Sequence, residues 1–298
     1  MTTSPEGYTR LQQYIDTVEA STNKDDASMT MKKAFLEDPW LRVLMARHPQ
    51  RPRAQDYIKY IFSDFQELSG ERMGQRSNVL RAGIGRLGAY SVMVIAQNRG
   101  SDLASNLECN FGMVDPAGYR FSQRVMKLAE KWQIPLVTLI DSPGADASVE
   151  AETGNQSAAI SQNLLLMAEL RIPTIAVITG EGMSGGAMAL ALCDRILMME
   201  HAIFSVISPE GCAAILWRDA ARAPLAARQL QLDSESMMRH GLIDAYVKEP
   251  HAGAQSAPDE AAQELSRAIT QEIIAIGKQS IDKILRQREK KWLAVGSL

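Results

Sequence analysis

The sequence is poor in the residues that metal, disulfide or nucleic-acid chemistry would need. Its 298 residues include three cysteines and four histidines. Cys109, Cys193 and Cys212 form no C-x-x-C pair, so neither a zinc ribbon nor a disulfide framework is indicated, and a reducing compartment is the simplest setting. His48, His201, His240 and His251 show no H-x-x-x-H or H-E-x-x-H spacing, which argues against a metal in this chain. Lysine and arginine number 32 against 35 aspartate and glutamate, a net charge of −3 that offers no basic field to a nucleic acid. No apolar run nears the ~20 residues of a membrane span. The opening Met1-Thr-Thr-Ser-Pro-Glu6 lacks the basic and apolar regions of a signal peptide, and a cytoplasmic protein is expected. No G-x-x-x-x-G-K-[ST] is present either, so the likeness of Asp141-Ser-Pro-Gly144 to a GTPase D-x-x-G leads nowhere.

What is present is an alternation of helical and strand patterns. Tyr8, Leu11, Tyr14, Ile15 and Val18 recur at helical spacing, and a second amphipathic run covers residues 31–45, with polar residues 21–26 as a linker. Such an arm reads as a packing or subunit-contact element. Residues 80–87 and 90–96 predict a hairpin about Gly88. Asp115 followed by Pro116 predicts a helix start, and Phe121, Val125, Leu128 and Trp132 repeat along one helix face. Apolar strands are expected at 134–140 and 172–178, with a helix over 155–170 between them and further strand-like runs at 195–199, 203–207 and 242–247. The last forty residues read as a solvated amphipathic helical segment. Helices alternating with fully apolar strands predict an α/β fold with helix-covered parallel strands.

Two glycine-containing turns follow the two central strands. Gly180-Glu-Gly-Met-Ser-Gly-Gly-Ala187 enters a helix of small residues, where unsatisfied N–H groups and the positive helix end make an oxyanion site from backbone alone. Gly185 and Gly186 would let a ligand come close. Asp141-Ser-Pro-Gly-Ala145 is the second turn, and both would sit at the carboxyl edge of the sheet, where ligands bind in open α/β sheets. Each alone could be a tight connection; together, with polar residues 146–156 between them, they predict a pocket.

Gly182-Met-Ser184-Gly-Gly186 also matches G-x-S-x-G, the nucleophile elbow of serine hydrolases, and aspartates and histidines follow it in the required order. Against that reading, five residues separate the expected strand end at Ile178 from Ser184, whereas an elbow leaves its strand directly. No His-Gly-Gly loop precedes it. The basic cluster Arg47-His-Pro-Gln-Arg-Pro-Arg53 reads as a solvated loop, with phosphate contact as the alternative. No base–nucleophile pair is evident, which suits a reaction whose substrates supply their own acid and base.

Five segments carry a resemblance: Ala46-Arg-His-Pro-Gln-Arg-Pro52 with Asp56-Tyr-Ile58, Asn110-Phe-Gly-Met113 with Gly118-Tyr-Arg120, Asp141-Ser-Pro-Gly-Ala145, Gly180 to Ala187, and Ser205-Val-Ile-Ser-Pro-Glu-Gly-Cys212 with Ile215-Leu-Trp217. In this order they resemble the carboxyltransferase alpha subunits of multi-subunit acetyl-CoA carboxylase, in the crotonase (ClpP-like) superfamily. The resemblance implies a ββα spiral core over 63–250 between an N-terminal helical arm (1–62) and C-terminal helices (251–298). It implies transfer of CO2 from carboxybiotin, held on a separate biotin carboxyl carrier protein, to acetyl-CoA or a related acyl-CoA. Gly185, Gly186 and Ala187 would form the backbone oxyanion hole, and Gly144, Ala145, Gly182 and Ser184 would line the carboxybiotin site. A beta-type partner with a zinc ribbon would bind the acyl-CoA in an α2β2 assembly, and released biotin taking the α-proton would explain the missing base. A superfamily serine hydrolase using Ser184 and a non-catalytic scaffold paralogue are the rival readings. The chain departs from the family at Asp146-Ala-Ser148, Glu152-Thr-Gly-Asn-Gln156, Gly70-Glu-Arg72 and Gln97-Asn-Arg-Gly100, which leaves the acyl acceptor open.

Overall fold

A computed structural model describes residues 5–21 and 23–296. The expectation drawn from Met1 to Glu6 therefore lies outside the described residues for its first four positions. Helices α1 (Pro5–Glu19), α2 (Lys24–Glu37), α3 (Trp40–Ala46) and α4 (Ala54–Ile61) lead into β1 (Ser63–Leu68), β2 (Leu80–Leu87) and β3 (Tyr90–Gln97). Then come α5 (Leu103–Glu108), α6 (Pro116–Trp132), β4 (Leu136–Ser142), α7 (Val149–Thr153), α8 (Gln156–Glu169), β5 (Thr174–Met183) and α9 (Ser184–Ala191). The chain continues through β6 (Arg195–Met199), β7 (Ile203–Ser205), α10 (Pro209–Trp217), α11 (Ala223–Leu230), α12 (Ser234–Arg239) and β8 (Ala245–Val247). It closes with α13 (Pro258–Gly277) and α14 (Ile281–Leu293).

The strands form one sheet in the order β1-β2-β3-β4-β5-β6-β8, with β7 paired to the end of β5. The expected hairpin is there, with Leu87 opposite Tyr90. From β3 onward every pairing is parallel. β4 and β5 are buried along their whole length, as strands covered on both faces must be. Asp115 caps α6 through the Gly118 N–H, and Pro116 sits at its first turn, as expected.

Several elements differ from expectation. β1 is not expected from the sequence because its side chains are mostly polar and exposed, with Phe65 and Leu68 alone partly buried, so no alternation marks it. The amphipathic run of 31–45 is two helices, broken at Asp38-Pro39, and the linker of 21–26 is shorter because α2 begins at Lys24. Part of the polar stretch 146–156 is helical, with Ser148 accepting from the Ala151 N–H to cap α7. α14 is not simply solvated. Arg288 is buried, pairs with both oxygens of Asp194 (2.7 and 2.9 Å), and donates to the carbonyls of Met167, Leu170 and Ile172.

The main core is built by the sheet with α6, α8, α9 and α13. A second apolar cluster holds the N-terminal arm, where Leu11, Ile15, Met31, Phe35 and Leu44 pack with Met183 and Ile203. The arm is thus a buttress behind Met183, the last residue of β5, one position before the glycine turn that the site is built on.

Candidate functional site

Glycine-rich Gly180-Glu-Gly-Met183 does not form a loop. β5 runs through it, because Gly182 pairs with Ser142 on one side and Phe204 on the other. Glycine is required there by packing. A Cβ on Gly180 would lie 2.5 Å from an Asp141 carboxylate oxygen, and one on Gly182 would meet Ile178 and Phe204 at 3.0–3.1 Å. Gly182 therefore belongs to the sheet interior rather than to a ligand surface.

This corrects the elbow argument. Ser184 leaves the strand directly, with a left-handed φ of +58°, and its side chain is exposed. The five-residue separation from the strand end does not exist. What the hydrolase reading lacks is a base: no side-chain hydrogen bond joins Ser184 to a histidine among the described residues. His201 is buried against Phe35, with ring centroids 5.2 Å apart, and His240 contacts Gln231. If Ser184 only shapes the turn, Ser184→Ala should lower kcat by less than about tenfold, where loss of a true nucleophile costs orders of magnitude more. A collapse of turnover in a folded variant, or labelling of Ser184 by a fluorophosphonate, would restore the hydrolase.

The first turn of α9 has no side-chain cap. Gly185 is half-buried, and a Cβ there would meet only Ile160 at 3.9 Å, so the backbone is approachable. Gly186 and Ala187 are buried. A Cβ on Gly186 would fall 2.5 Å from Ala145 N and from the Gly144 carbonyl carbon. The two predicted turns are therefore in backbone contact, with Gly186 as the point of closest approach. Gly144 adopts φ +143°, and its N–H donates to Ser142 Oγ (3.1 Å), which leaves Ala145 as that turn's candidate donor. The structure thus brings together Gly144, Ala145, Ser184, Gly185, Gly186 and Ala187, and sets Gly182 behind them.

Beneath the turns lies an ionic network of a kind the sequence reading missed. Arg47, Arg51 and Arg53 are buried, not solvated, and their guanidinium groups face carboxylates instead of phosphates. Arg47 Nε donates to Glu181 (2.9 Å) and its terminal nitrogens to Glu210 (2.5 and 3.3 Å). Arg53 pairs with Asp141 at 2.9 Å. Arg99 reaches both Asp141 (3.3 Å) and Glu181 (2.7 Å), while the Glu181 N–H donates to Asp141 (3.0 Å). Arg51 clamps Glu249 through two nitrogens at 2.8 and 2.6 Å and donates to the Thr179 carbonyl. Burial opposes ionisation of Asp141, but Arg99 and Arg53 outweigh it and hold the carboxyl below the ordinary carboxylate range. For Glu181 burial is likewise outweighed, by Arg47 and Arg99. These charges neutralise one another and fix where β4 and β5 end, so they set the spacing of the two turns. Their spacing along the chain (Arg47 to Glu210, Arg51 to Glu249) leaves no local signal to find them by.

A parallel sheet entered by an antiparallel hairpin, with two backbone turns touching at the strand ends, defines a crotonase-like α/β protein. The solved transcarboxylase 12S core shares the fold at a TM-score of 0.62 and 18% identity, over 76% of this chain and 42% of that one. A Pseudomonas malonate decarboxylase hetero-tetramer, solved with coenzyme A, has a chain that matches at 0.61 and 16% identity, over 78% of this chain and 90% of that one. The chain belongs to the acetyl co-enzyme A carboxylase carboxyltransferase-like family, whose model matches residues 3–296. It is 43% identical over 258 residues to an acetyl-coenzyme A carboxylase carboxyl transferase subunit alpha of Stenotrophomonas maltophilia, covering 87% of this chain and 81% of that one. A Salinispora tropica protein named for subunits beta/alpha is 42% identical over 92% of this chain. The chain spans about half of that longer relative, 48% of its length.

Proposed function

We propose that this chain is the alpha-type half of a biotin-dependent acyl-CoA carboxyltransferase, moving a carboxyl group from carboxybiotin to acetyl-CoA or a related acyl-CoA. The observation that carries the reading is the uncapped first turn of α9, open at Gly185 and pinned against the Gly144–Ala145 turn. A small anionic oxygen fits there, since no side chain fills the space over Gly185. The N–H groups of Gly185 and Gly186 would hold the ureido oxygen of biotin, with Ser184 and Ala145 at the rim. The Ala187 N–H, expected from the sequence to join them, is the fourth after the N-cap Met183 and belongs to the helix ladder. When bound, carboxybiotin supplies the carboxyl group. The chain's own residues then stabilise developing negative charge with fixed dipoles, which act most strongly where water is excluded. Asp141 and Glu181 are no bases in this scheme, because arginines hold both ionised and engaged.

A carboxyltransferase also needs a site for the thioester enolate, and a second pair of touching turns is not present among the described residues. Surface chemistry supports a partner at this edge. α10 carries Glu210, which is tied to Arg47, yet Ile215 and Leu216 on the same helix are 72% and 62% exposed, and neighbouring Val206 is 76% exposed. A beta-type subunit is the proposed cover and acyl-CoA binder, most simply in an α2β2 assembly of two-fold symmetry. The relative that joins beta and alpha parts in one chain supports this pairing.

The test is malonyl-CoA decarboxylation with free biotin, alongside light scattering on a sizing column, with and without a beta-type subunit. Activity is expected only with the partner. Full activity of the purified single chain would remove the alpha-type assignment.

A further inference from the structure

The turn that follows β4 is held by one hydroxyl. Ser142, the last residue of β4, is wholly buried, and its Oγ bonds twice to the same residue, Gly144. It accepts from the Gly144 N–H at 3.1 Å and gives its single proton to the Gly144 carbonyl at 2.6 Å. Gly144 needs such a restraint. Its φ of +143° is a conformation that glycine alone adopts readily, and a Cβ there would meet nothing within 4 Å. Packing at Gly144 itself therefore does not limit how the following peptide turns.

The Gly144 carbonyl and the Ala145 N–H are the two ends of that peptide, held in one plane by its partial double bond. Fixing the carbonyl fixes the direction of the N–H, and a donor on the oxygen also strengthens the N–H as a donor. The fold leaves this N–H unused. In the bridge between Val114 and Ala145, the Asp146 N–H donates to the Val114 carbonyl at 3.1 Å. Successive N–H groups of a bridged segment point to opposite sides, so the Ala145 N–H faces away from Val114. It has no hydrogen-bond partner among the described residues, and Ala145 is only half-buried.

Gly186 does not cover it either. A Cβ on Gly186 would stand 2.5 Å from both Ala145 N and the Gly144 carbonyl carbon, and 2.9 Å from the Gly144 oxygen. Within the peptide plane, a point so close to both atoms would lie either much nearer that oxygen or well beyond it. Gly186 therefore packs on the flat face of the peptide, and the N–H, directed within the plane, stays open beside it. Covalent geometry keeps Gly186 N about 2.5 Å from its own Cβ position, so the nitrogens of Ala145 and Gly186 are at most about 5 Å apart. One oxygen at about 2.9 Å from each spans that distance.

We infer that Ser142 is a positioning residue for carboxyl transfer, holding the Gly144–Ala145 peptide so that the Ala145 N–H joins those of Gly185 and Gly186 against developing negative charge. The inference rests on the proposed carboxyltransferase reading of these two turns.

The test uses the full chain reconstituted with its beta-type partner, and the full chain alone labelled with carbon-13 and nitrogen-15. In the complex, Ser142→Ala should lower kcat for malonyl-CoA decarboxylation about tenfold with KM unchanged, less than the outright loss of an oxyanion donor. Gly144→Ala disturbs the same peptide by another route, since its Cβ meets no neighbour and acts through φ alone. The double variant should lose no more than the larger single loss, because both changes release one peptide. A serine that merely supports the fold would give losses that multiply. In the labelled chain, Ser142→Ala should move the Gly144 carbonyl carbon upfield as its donor goes. If Ser142→Ala does not fold, Ser142→Cys takes its place in every arm, because a thiol fills the site and donates only weakly. Undiminished kcat, multiplying losses or an unmoved Gly144 carbonyl would each overturn the positioning role. An inactive wild-type complex would instead remove the proposed reaction, and the Gly144 carbonyl alone would then decide whether Ser142 holds the turn.

Discussion

Gly186→Val should lower carboxyl transfer by at least about a hundredfold, the scale of losing an oxyanion donor. Reasoning from sequence attributes this to blocked ligand approach; the structure gives a different cause. The added Cβ would meet Ala145 N and the Gly144 carbonyl carbon at 2.5 Å and the Gly144 oxygen at 2.9 Å, all backbone atoms that cannot swing aside. The two turns would have to part, and β-branching removes the freedom to relieve the clash. A drop in thermal midpoint should therefore accompany the lost rate. Gly185→Ala separates the two causes, since its Cβ has only Ile160 at 3.9 Å for company. That variant should fold like the wild type, so any rate it loses in the reconstituted decarboxylation assay reports ligand approach alone. Retention of full activity and an unchanged melt in Gly186→Val would contradict the contact between the turns.

Arg51→Met should destabilise the chain by about 3–5 kcal/mol at neutral pH, the range for removing one partner of a buried ion pair. Both side chains are fully buried. Glu249 also accepts from the His201 and Ala254 N–H groups, so it cannot turn outward without breaking those bonds. The effect should depend on pH in a defined sense. In the wild type, burial opposes ionisation of Glu249, but Arg51 overcomes it and brings the carboxyl down from 4.5 to about 2. A depressed folded-state pKa contributes stability that is complete above about 4.5 and is lost as pH falls toward 2. Without Arg51, burial is opposed only by His201 and the backbone N–H donors. The folded-state carboxyl then loses most of its depression, and the variant gains less stability as pH rises. The gap between the two proteins should widen from pH 3 to pH 7 in denaturant titrations. Replacing both partners, Arg51→Met with Glu249→Leu, should recover much of the loss, because two apolar side chains leave no orphaned charge. A gap of constant size across that range would show that the pair does not carry the stability.

Much of the scaffold was legible along the chain. The apolar runs of β4 and β5 announce themselves because strands covered on both faces must be largely hydrophobic. Asp115-Pro116 marks the start of α6 because capping and a fixed φ act within one turn. The glycine turn, the Asp141 turn and the segments around them were enough to point to the family, and the structure sets those two turns side by side. Three other features could be decided only in three dimensions. Gly180-Glu-Gly-Met183 reads as loop by composition, yet it is strand, because Ser142 and β7 offer it partners on both sides. β1 shows no alternation because it lies at the sheet edge with mostly exposed side chains. The arginines at 47, 51, 53 and 288 look like solvated charge in any local window. They are drawn inside by Glu181, Glu210, Glu249, Asp141 and Asp194, carboxylates up to 198 residues away. Hydrophobic period and capping are properties of neighbouring residues, and the sequence states them directly. The burial of a charge depends on what waits for it across the fold, and only the assembled chain contains that.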